Sequence, residues 1–72
     1  MTGIICAMQI EADGIIALSQ NTQTEEIAGM KFTTGTLNGK DIAVVVCGVG
    51  KVNAAMCAVV LIEKFNPDVV IN

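Results

Sequence analysis

The sequence lacks histidine, tryptophan and tyrosine, and aromatic residues make up only 3% of it. It also lacks arginine, because all four basic residues are lysines, and its formal net charge is −3. Proteins that bind nucleic acids usually present a basic stripe or aromatic platforms on which bases stack. These absences therefore argue against nucleic acid as a partner.

The chain has only three cysteines, and no two of them have the CxxC spacing of metal or redox motifs. Without histidine as well, neither a metal centre nor a disulfide framework is predicted. Cys6, Cys47 and Cys57 lie in apolar runs with no histidine or arginine nearby in sequence, so we expect buried, unreactive thiols. No basic residue precedes the first apolar run, which argues against a signal peptide and predicts a cytoplasmic location.

One apolar window, residues 43–62, is long enough to span a bilayer. A lysine at its centre, Lys51, costs about 2.5 to 3.5 kcal/mol on insertion scales. The window is also divided at residues 48–50 into a β-branched half and an alanine-rich half. We therefore predict a strand, a turn and a helix here, and no membrane span.

Hydrophobic residues make up 53% of the 72 residues, which excludes intrinsic disorder. A body this small has little interior in which to bury them, and its core alone rarely supplies more than roughly 3 to 5 kcal/mol. The chain ends on an apolar run, whereas domain termini usually lie at an exposed surface. We therefore expect residues 1–72 to be the N-terminal fragment of a single larger domain, associating with itself or with the rest of that domain.

The apolar periodicity predicts an α/β fold with the element order β-α-β-β-α-β. Asn38-Gly39 is the clearest local signal, since both residues tolerate the positive φ of a tight hairpin turn. The helix after residue 50 is apolar nearly all round, so we expect it to pack on more than one side. The predicted elements are a strand at 4–8, a helix at 9–20, a surface loop at 21–26, hairpin strands at 27–37 and 42–46, a helix to residue 65, and a strand at 69–72.

Two places in this order could bind a ligand. The turn at residues 48–51 joins a strand to a helix, where main-chain amides can face an anion. It matches neither common phosphate motif, because Val45 and Asn53 stand where small residues are required. Two glycines in a tight turn explain it equally well. Glu11 follows the first strand and could orient a water, or could simply favour the helix dipole, as could Asp13.

Four segments together resemble one enzyme family, the 5′-methylthioadenosine/S-adenosylhomocysteine nucleosidases. Each segment alone is weakly specific, but their order and spacing cover the whole chain without an obvious gap. They are GIICAMQIE at 3–11, TGTLNG at 34–39, CGVGKVNAA at 47–55 and PDVVIN at 67–72.

The resemblance implies a nucleoside phosphorylase-like mixed-sheet α/β sandwich that works as a homodimer in methionine salvage and needs no metal or organic cofactor. It implies hydrolysis of the N-glycosidic bond of methylthioadenosine and S-adenosylhomocysteine, with release of adenine. Glu11 matches the glutamate that holds the attacking water. Ala7 and Met8 match residues lining the pocket near the ribose, and Val49 matches an aliphatic residue near the alkylthio group. Independently of the resemblance, Met8 could equally be a core filler.

The chain departs from the family at Cys6, where glycine is common, and at Gln9 and Ile10, where many members have acids. The family's general acid, ribose-binding glutamate and adenine loop lie beyond residue 72, so we expect the fragment alone to be inactive. Other interpretations are a futalosine-type nucleosidase, a phosphorylase or a noncatalytic module that associates through its apolar surface. The lack of arginine disfavours the phosphorylase, which must grip phosphate.

Overall fold

The computed structural model describes residues 1–47 and 51–72, with only the backbone described at residues 51–53. The described part contains five strands and two helices. They are β1 (Thr2–Cys6), α1 (Gln9–Ala17), β2 (Gln20–Ile27), β3 (Met30–Leu37), β4 (Lys40–Val46), α2 (Lys51–Phe65) and β5 (Val69–Ile71).

The strands form one mixed sheet in the order β2-β3-β4-β1-β5. β2, β3 and β4 form an antiparallel meander. β1 lies between β4 and β5 and is parallel to both, so that Ile4 pairs with Val44 on one side and Ile71 on the other. Parallel strands need a crossover connection. The connection from β1 to β4 runs through α1, β2 and β3, and the connection from β4 to β5 runs through α2.

The helices cover opposite faces of the sheet. Consecutive residues of β1 and β4 alternate between the two faces, as strand geometry requires. On one face, α2 buries Cys57 and Leu61 against Ile5 and Phe32. On the other, α1 contributes the buried Ala12 to a smaller cluster with Cys6 and Ile42. Apolar residues in consecutive positions of β1 and β4 are therefore buried by helices on both sides, which confirms the predicted α/β class.

The predicted loop at residues 21–26 is wrong, because these residues belong to β2. The predicted single strand at 27–37 is also interrupted by a turn at Ala28 and Gly29, whose φ angles are 53° and 79°. The element order is therefore β-α-β-β-β-α-β. β2 lies at the sheet edge and is exposed on both sides over most of its length. A strand without a buried face has no alternation of apolar and polar residues, so its sequence looks like a loop.

The second hairpin agrees with its sequence signal. Asn38 and Gly39 connect β3 to β4 with φ angles of 52° and 79°. The helices differ from expectation in two respects. α1 ends at Ala17 because Gln20 already begins β2. α2 is covered on one side only by the described residues, leaving Val59 60% exposed. Neither described helix has the length and apolarity needed to cross a bilayer.

Candidate active-site edge

The carboxyl ends of β1 and β4 lie side by side. Cys6 pairs with Val46 in the parallel register, and the Cys47 N–H donates a hydrogen bond to the Cys6 carbonyl oxygen at 2.9 Å. From this edge the chain passes through Ala7 and Met8 into α1. After Cys47 and residues 48–50, it enters α2. Ligands of open α/β sheets bind outside the carboxyl ends of the strands, so this is the edge to search for a site.

Glu11 lies in the first turn of α1, at this edge, and its side chain is exposed. Its Oε1 accepts a hydrogen bond from the Met8 N–H at 3.2 Å, which satisfies one of the amides left unpaired at the start of the helix. The backbone N–H groups of Glu11 and Ala12 in turn reach the Met8 carbonyl oxygen at 3.2 and 3.4 Å. The carboxylate therefore caps the helix, and its further acceptor positions can bind a water.

Ala7 and Met8 lie beside Glu11 between β1 and α1. Both are exposed, and Met8 is 59% accessible despite being apolar. An exposed methionine here is not the core filler that its type alone suggests. The structure thus places three of the four predicted site residues on one short segment. The fourth, Val49, and the turn at 48–50 lie outside the described residues, although Cys47 just before them lies at the same edge.

A cavity of about 450 Å³ opens near this edge, between the first hairpin turn and the two helices. Its described lining contains neither Glu11 nor the Ala7–Met8 segment. The sequence did not point to this cavity, because two of its walls come from the unpredicted turn at Ala28 and Gly29. The lining residues are Gln9, Ala28, Gly29, Met30, Lys31, Val46, Cys47 and Met56.

Gln9 is the residue that connects the cavity to α1. Its Nε2 donates a hydrogen bond to Asp13 Oδ1 at 2.8 Å, one helical turn along. This bond orients the Gln9 amide and leaves the Asp13 carboxylate engaged within the helix. Asp13 lies beyond the first turn of α1, where Glu11 is the acidic residue, so its carboxylate accepts the Gln9 hydrogen bond and does not occupy the first-turn position that was predicted.

Two thiols have environments that keep them protonated. Burial raises the pKa of Cys6, and the nearby Glu11 carboxylate and Cys47 raise it further. Burial also raises the pKa of Cys57, together with electrostatic repulsion from Cys47 and hydrogen bonding to it. Buried, protonated thiols are poor nucleophiles, in line with the prediction for Cys6 and Cys57. Cys47 differs, because it is only partly buried and lines the cavity.

The described residues contain no group of three or more histidine, cysteine, aspartate or glutamate side chains placed to hold a metal ion. Among the described residues of this edge, the Glu11 carboxylate is exposed beside the short segment of Ala7 and Met8. Such a group can orient a water and accept its proton.

The chain is thus an α/β protein with a mixed sheet, and Glu11 lies at the carboxyl ends of two parallel strands, where proteins of this class bind small molecules. The sequence profile of the Phosphorylase superfamily matches residues 2–72, and the chain belongs to this superfamily.

Among curated relatives, the chain is 49% identical over 70 residues to the 5′-methylthioadenosine/S-adenosylhomocysteine nucleosidase of Shewanella loihica. It is 46% identical over 69 residues to the nucleosidase of the same name from Lysinibacillus sphaericus. These alignments cover 97% and 96% of this chain. The chain spans about 30% of the length of the curated relatives it matches.

Solved structures agree. The nucleosidase of this type from Colwellia psychrerythraea, in complex with adenine, matches 96% of this chain and 28% of its own, with a TM-score of 0.93 at 38% identity. A futalosine hydrolase mutant from Helicobacter pylori matches 96% of this chain and 31% of its own, with a TM-score of 0.86 at 26% identity. The resemblance read from the sequence and the predicted fold are therefore confirmed.

Proposed function

We propose that this chain is the part of a 5′-methylthioadenosine/S-adenosylhomocysteine nucleosidase that carries the water-orienting carboxylate, Glu11. The observation that carries the proposal is the alignment of 97% of the chain with such a nucleosidase at 49% identity. The position of Glu11 supports it, because the exposed carboxylate stands at the edge where α/β sheets bind ligands.

The reaction needs three groups. Hydrolysis of an N-glycosidic bond passes through an oxocarbenium-like transition state, so a water must be positioned, the leaving base protonated and the sugar held. Glu11 supplies the first by accepting a hydrogen bond, and then a proton, from the water. Ala7 and Met8 line the pocket near the ribose, and Val49 contacts the alkylthio group.

The remaining groups belong to the rest of a larger domain. The relatives are about three times as long as this chain, which covers 30% of their length. We assign residues 1–72 to the N-terminal part of one nucleosidase domain, and the general acid, the sugar clamp and the adenine-binding loop to the other part. In this proposal the complete enzyme is a cytoplasmic homodimer that acts in methionine salvage. Its substrate is a nucleoside, it needs no cofactor, and it binds neither nucleic acids nor membranes.

A chimera tests this assignment. The matching segment of the Colwellia psychrerythraea nucleosidase is replaced by this chain, and adenine release from methylthioadenosine is measured. We expect the chimera to be active and the 72-residue chain alone to be inactive, since loss of the general acid alone typically costs about 100-fold to 10,000-fold. A folded but inactive chimera, or rapid turnover by the 72-residue chain, would contradict the assignment.

Futalosine hydrolysis is a second candidate, favoured by the structural match to the Helicobacter pylori futalosine hydrolase mutant. Both reactions break an N-glycosidic bond, so Glu11 has the same role in each. Substrate competition in a longer protein containing this chain separates them. A higher kcat/KM for futalosine than for methylthioadenosine would select the second candidate.

A further inference from the structure

The four methionines of the chain differ in how easily an oxidant in solution can reach their sulfur atoms. Met8 is 59% exposed and Met56 is 48% exposed. Met1 and Met30 are partly buried and pack against the core cluster beneath α2. The Met30 sulfur also accepts a hydrogen bond from the Cys57 thiol, with 3.2 Å between the two sulfur atoms. Met8 and Met56 are therefore the two accessible thioethers.

We propose that Met8 is a site of reversible oxidation to methionine sulfoxide, and that this oxidation impairs the candidate active-site edge. Met56 lies in α2, whereas Met8 lies between β1 and α1 at the edge that carries Glu11. Three hydrogen bonds fix the Met8 backbone to the start of α1. Glu11 Oε1 accepts the Met8 N–H at 3.2 Å, and the N–H groups of Glu11 and Ala12 donate to the Met8 carbonyl oxygen at 3.2 and 3.4 Å. A change in the Met8 side chain is therefore made close to Glu11.

The oxidant is a peroxide, of which hydrogen peroxide is the simplest. A lone pair of the Met8 sulfur attacks one peroxide oxygen, so that an S–O bond forms and the O–O bond breaks. The sulfur loses two electrons and the peroxide gains them. The departing hydroxide takes the proton left on the transferred oxygen and becomes water. Methionine sulfoxide reductases reverse the change with electrons from a thiol reductant, so the modification is reversible.

The thiols of the chain can be distinguished from Met8 in such an experiment. Peroxides react with thiolates, and burial raises the pKa of Cys6 and of Cys57, which keeps both protonated. Cys47 is only partly buried. A sulfenic acid or disulfide formed at Cys47 is reduced again by dithiothreitol, which leaves methionine sulfoxide in place. Treatment with dithiothreitol after peroxide therefore isolates the effect of the methionines.

The sulfoxide changes the polarity of Met8 without disturbing the core. Oxidation turns a flexible apolar side chain into a polar one with a new oxygen acceptor. Met8 is a member of neither core cluster in the described part of the chain, so the fold does not depend on its packing. The effect on activity rests on the proposed function, in which Met8 lines the pocket near the ribose and Glu11 holds a water. An oxygen acceptor at Met8 competes with Glu11 for the hydrogen atoms of that water.

Peroxide treatment of the 72-residue chain tests the modification itself. The chain is treated with hydrogen peroxide and then with dithiothreitol, and peptide mass spectrometry follows sulfoxide formation at each methionine over time. We expect Met8 and Met56 to be oxidised before Met1 and Met30, while the urea midpoint stays unchanged. Met8 that stays reduced while Met56 is oxidised would overturn the site, as would equal rates at Met8 and Met30. A lower midpoint at this stage would also overturn it, because the modification would then act by unfolding the chain.

The chimera with the Colwellia psychrerythraea nucleosidase tests the effect on activity. We expect peroxide followed by dithiothreitol to lower kcat/KM for methylthioadenosine about tenfold or more, the scale of one unsatisfied polar group in a site. Methionine sulfoxide reductases should restore it. Met8→Leu keeps an apolar side chain of similar volume without sulfur, and it should keep its own untreated activity after peroxide. Met56→Leu is the matched control and should lose as much activity as the parent chimera.

Each variant is compared with its own untreated sample, so that any direct effect of a substitution on activity is removed from the comparison. Full kcat/KM in a chimera whose Met8 is completely oxidised would overturn the inference. So would equal losses in the parent and Met8→Leu chimeras, because the damage would then lie elsewhere. A chimera that is inactive before oxidation contradicts the proposed function alone, and the peptide map of the chain then decides the modification site.

Discussion

Replacing Glu11 with glutamine separates the helix-capping role that the structure shows from the water-orienting role that we propose for this side chain. The carboxylate caps α1 by accepting the Met8 N–H at 3.2 Å, and we propose that it also orients the attacking water. Glutamine retains the carbonyl oxygen needed for the cap, and it is one of the two residue types found at this position of a capping box. It cannot accept a proton from water at neutral pH.

The stability cost follows from the exposure of Glu11. The residue is exposed, and a negative charge in a helix's first turn typically contributes about 0.3 to 1 kcal/mol. Because the hydrogen bond to Met8 can persist, the free energy of unfolding should fall by less than about 1 kcal/mol. Chemical denaturation of the chain measures this change directly, without any need for activity.

The catalytic cost should be much larger. Removing a positioned general base typically lowers the rate about 100-fold to 10,000-fold. Each tenfold loss corresponds to about 1.36 kcal/mol in the activation barrier, so the lower bound is already about 2.7 kcal/mol. In the Colwellia chimera, kcat for methylthioadenosine should fall at least about 100-fold. KM should change little, because the role we propose for Glu11 is to contact the water and not to hold the nucleoside.

Asp13→Asn is the matched control, since Asp13 lies in the same helix and bonds to Gln9 at 2.8 Å. It should retain most of the activity. The reasoning is refuted if the folded Glu11→Gln chimera keeps its parent kcat. It is also refuted if both variants lose activity and stability in parallel, because the carboxylate would then be only a helix cap.

Four further predictions concern the chain alone. Gly3→Ala should cost about 1 to 3 kcal/mol of stability in urea, because the new Cβ would lie 2.7 Å from Leu61 Cδ2 in the core; an unchanged midpoint would contradict this packing. Gly14→Ala should raise the free energy of unfolding by up to about 1 kcal/mol, since a Cβ added at this helical position would have nothing within 4 Å; a lower free energy of unfolding would contradict this. The Met1 ammonium lies 2.8 Å from Asp68 Oδ2, and its hydrogen bond and charge lower the pKa of the Asp68 carboxyl. The ion pair therefore stabilises the fold above the ordinary pKa of an aspartate, and this stabilisation is lost as pH falls through the lowered pKa. Asp68→Asn should flatten that acid limb slightly, and an unaltered pH profile would rule the effect out. The exposed apolar faces of α2 and β5 should make the chain self-associate at micromolar concentration, whereas light scattering from a monodisperse, folded monomer would argue against this.

The two hairpin turns show which parts of the fold the sequence could predict. Asn38 and Gly39 predicted the β3–β4 hairpin because their positive φ angles are intrinsic preferences of those residue types. The first hairpin has Ala28 at φ 53°, where alanine is disfavoured, so the turn is imposed by the pairing of β2 with β3. Gly29 was the available local signal for this turn. Pairing between distant residues cannot be read from a local pattern.

The place of Glu11 in the fold was predicted from the sequence, but its contacts were not. The apolar run of β1 placed Glu11 beyond a strand end, and the structure puts it there. The capping bond to Met8 depends on the rotamer of Glu11, which no sequence pattern specifies. The cavity was missed because its walls come from the unpredicted turn at Ala28 and Gly29, from β3, from the end of β4 and from both helices. Cys47 was read as an ordinary buried thiol for the same reason.

The two edges of the sheet differ in their tendency to aggregate. β2 carries Glu25 and Glu26, and its pairing with β3 shifts register between Gln20 and Gln23, where Asn21 has a φ of 56°. Charges and bulges are the features by which edge strands resist pairing with another chain. β5 lies at the opposite edge with three exposed apolar residues and neither feature. We therefore expect strands of other chains to add at β5 when this chain aggregates. A charged substitution in β5 is the change that would suppress this aggregation.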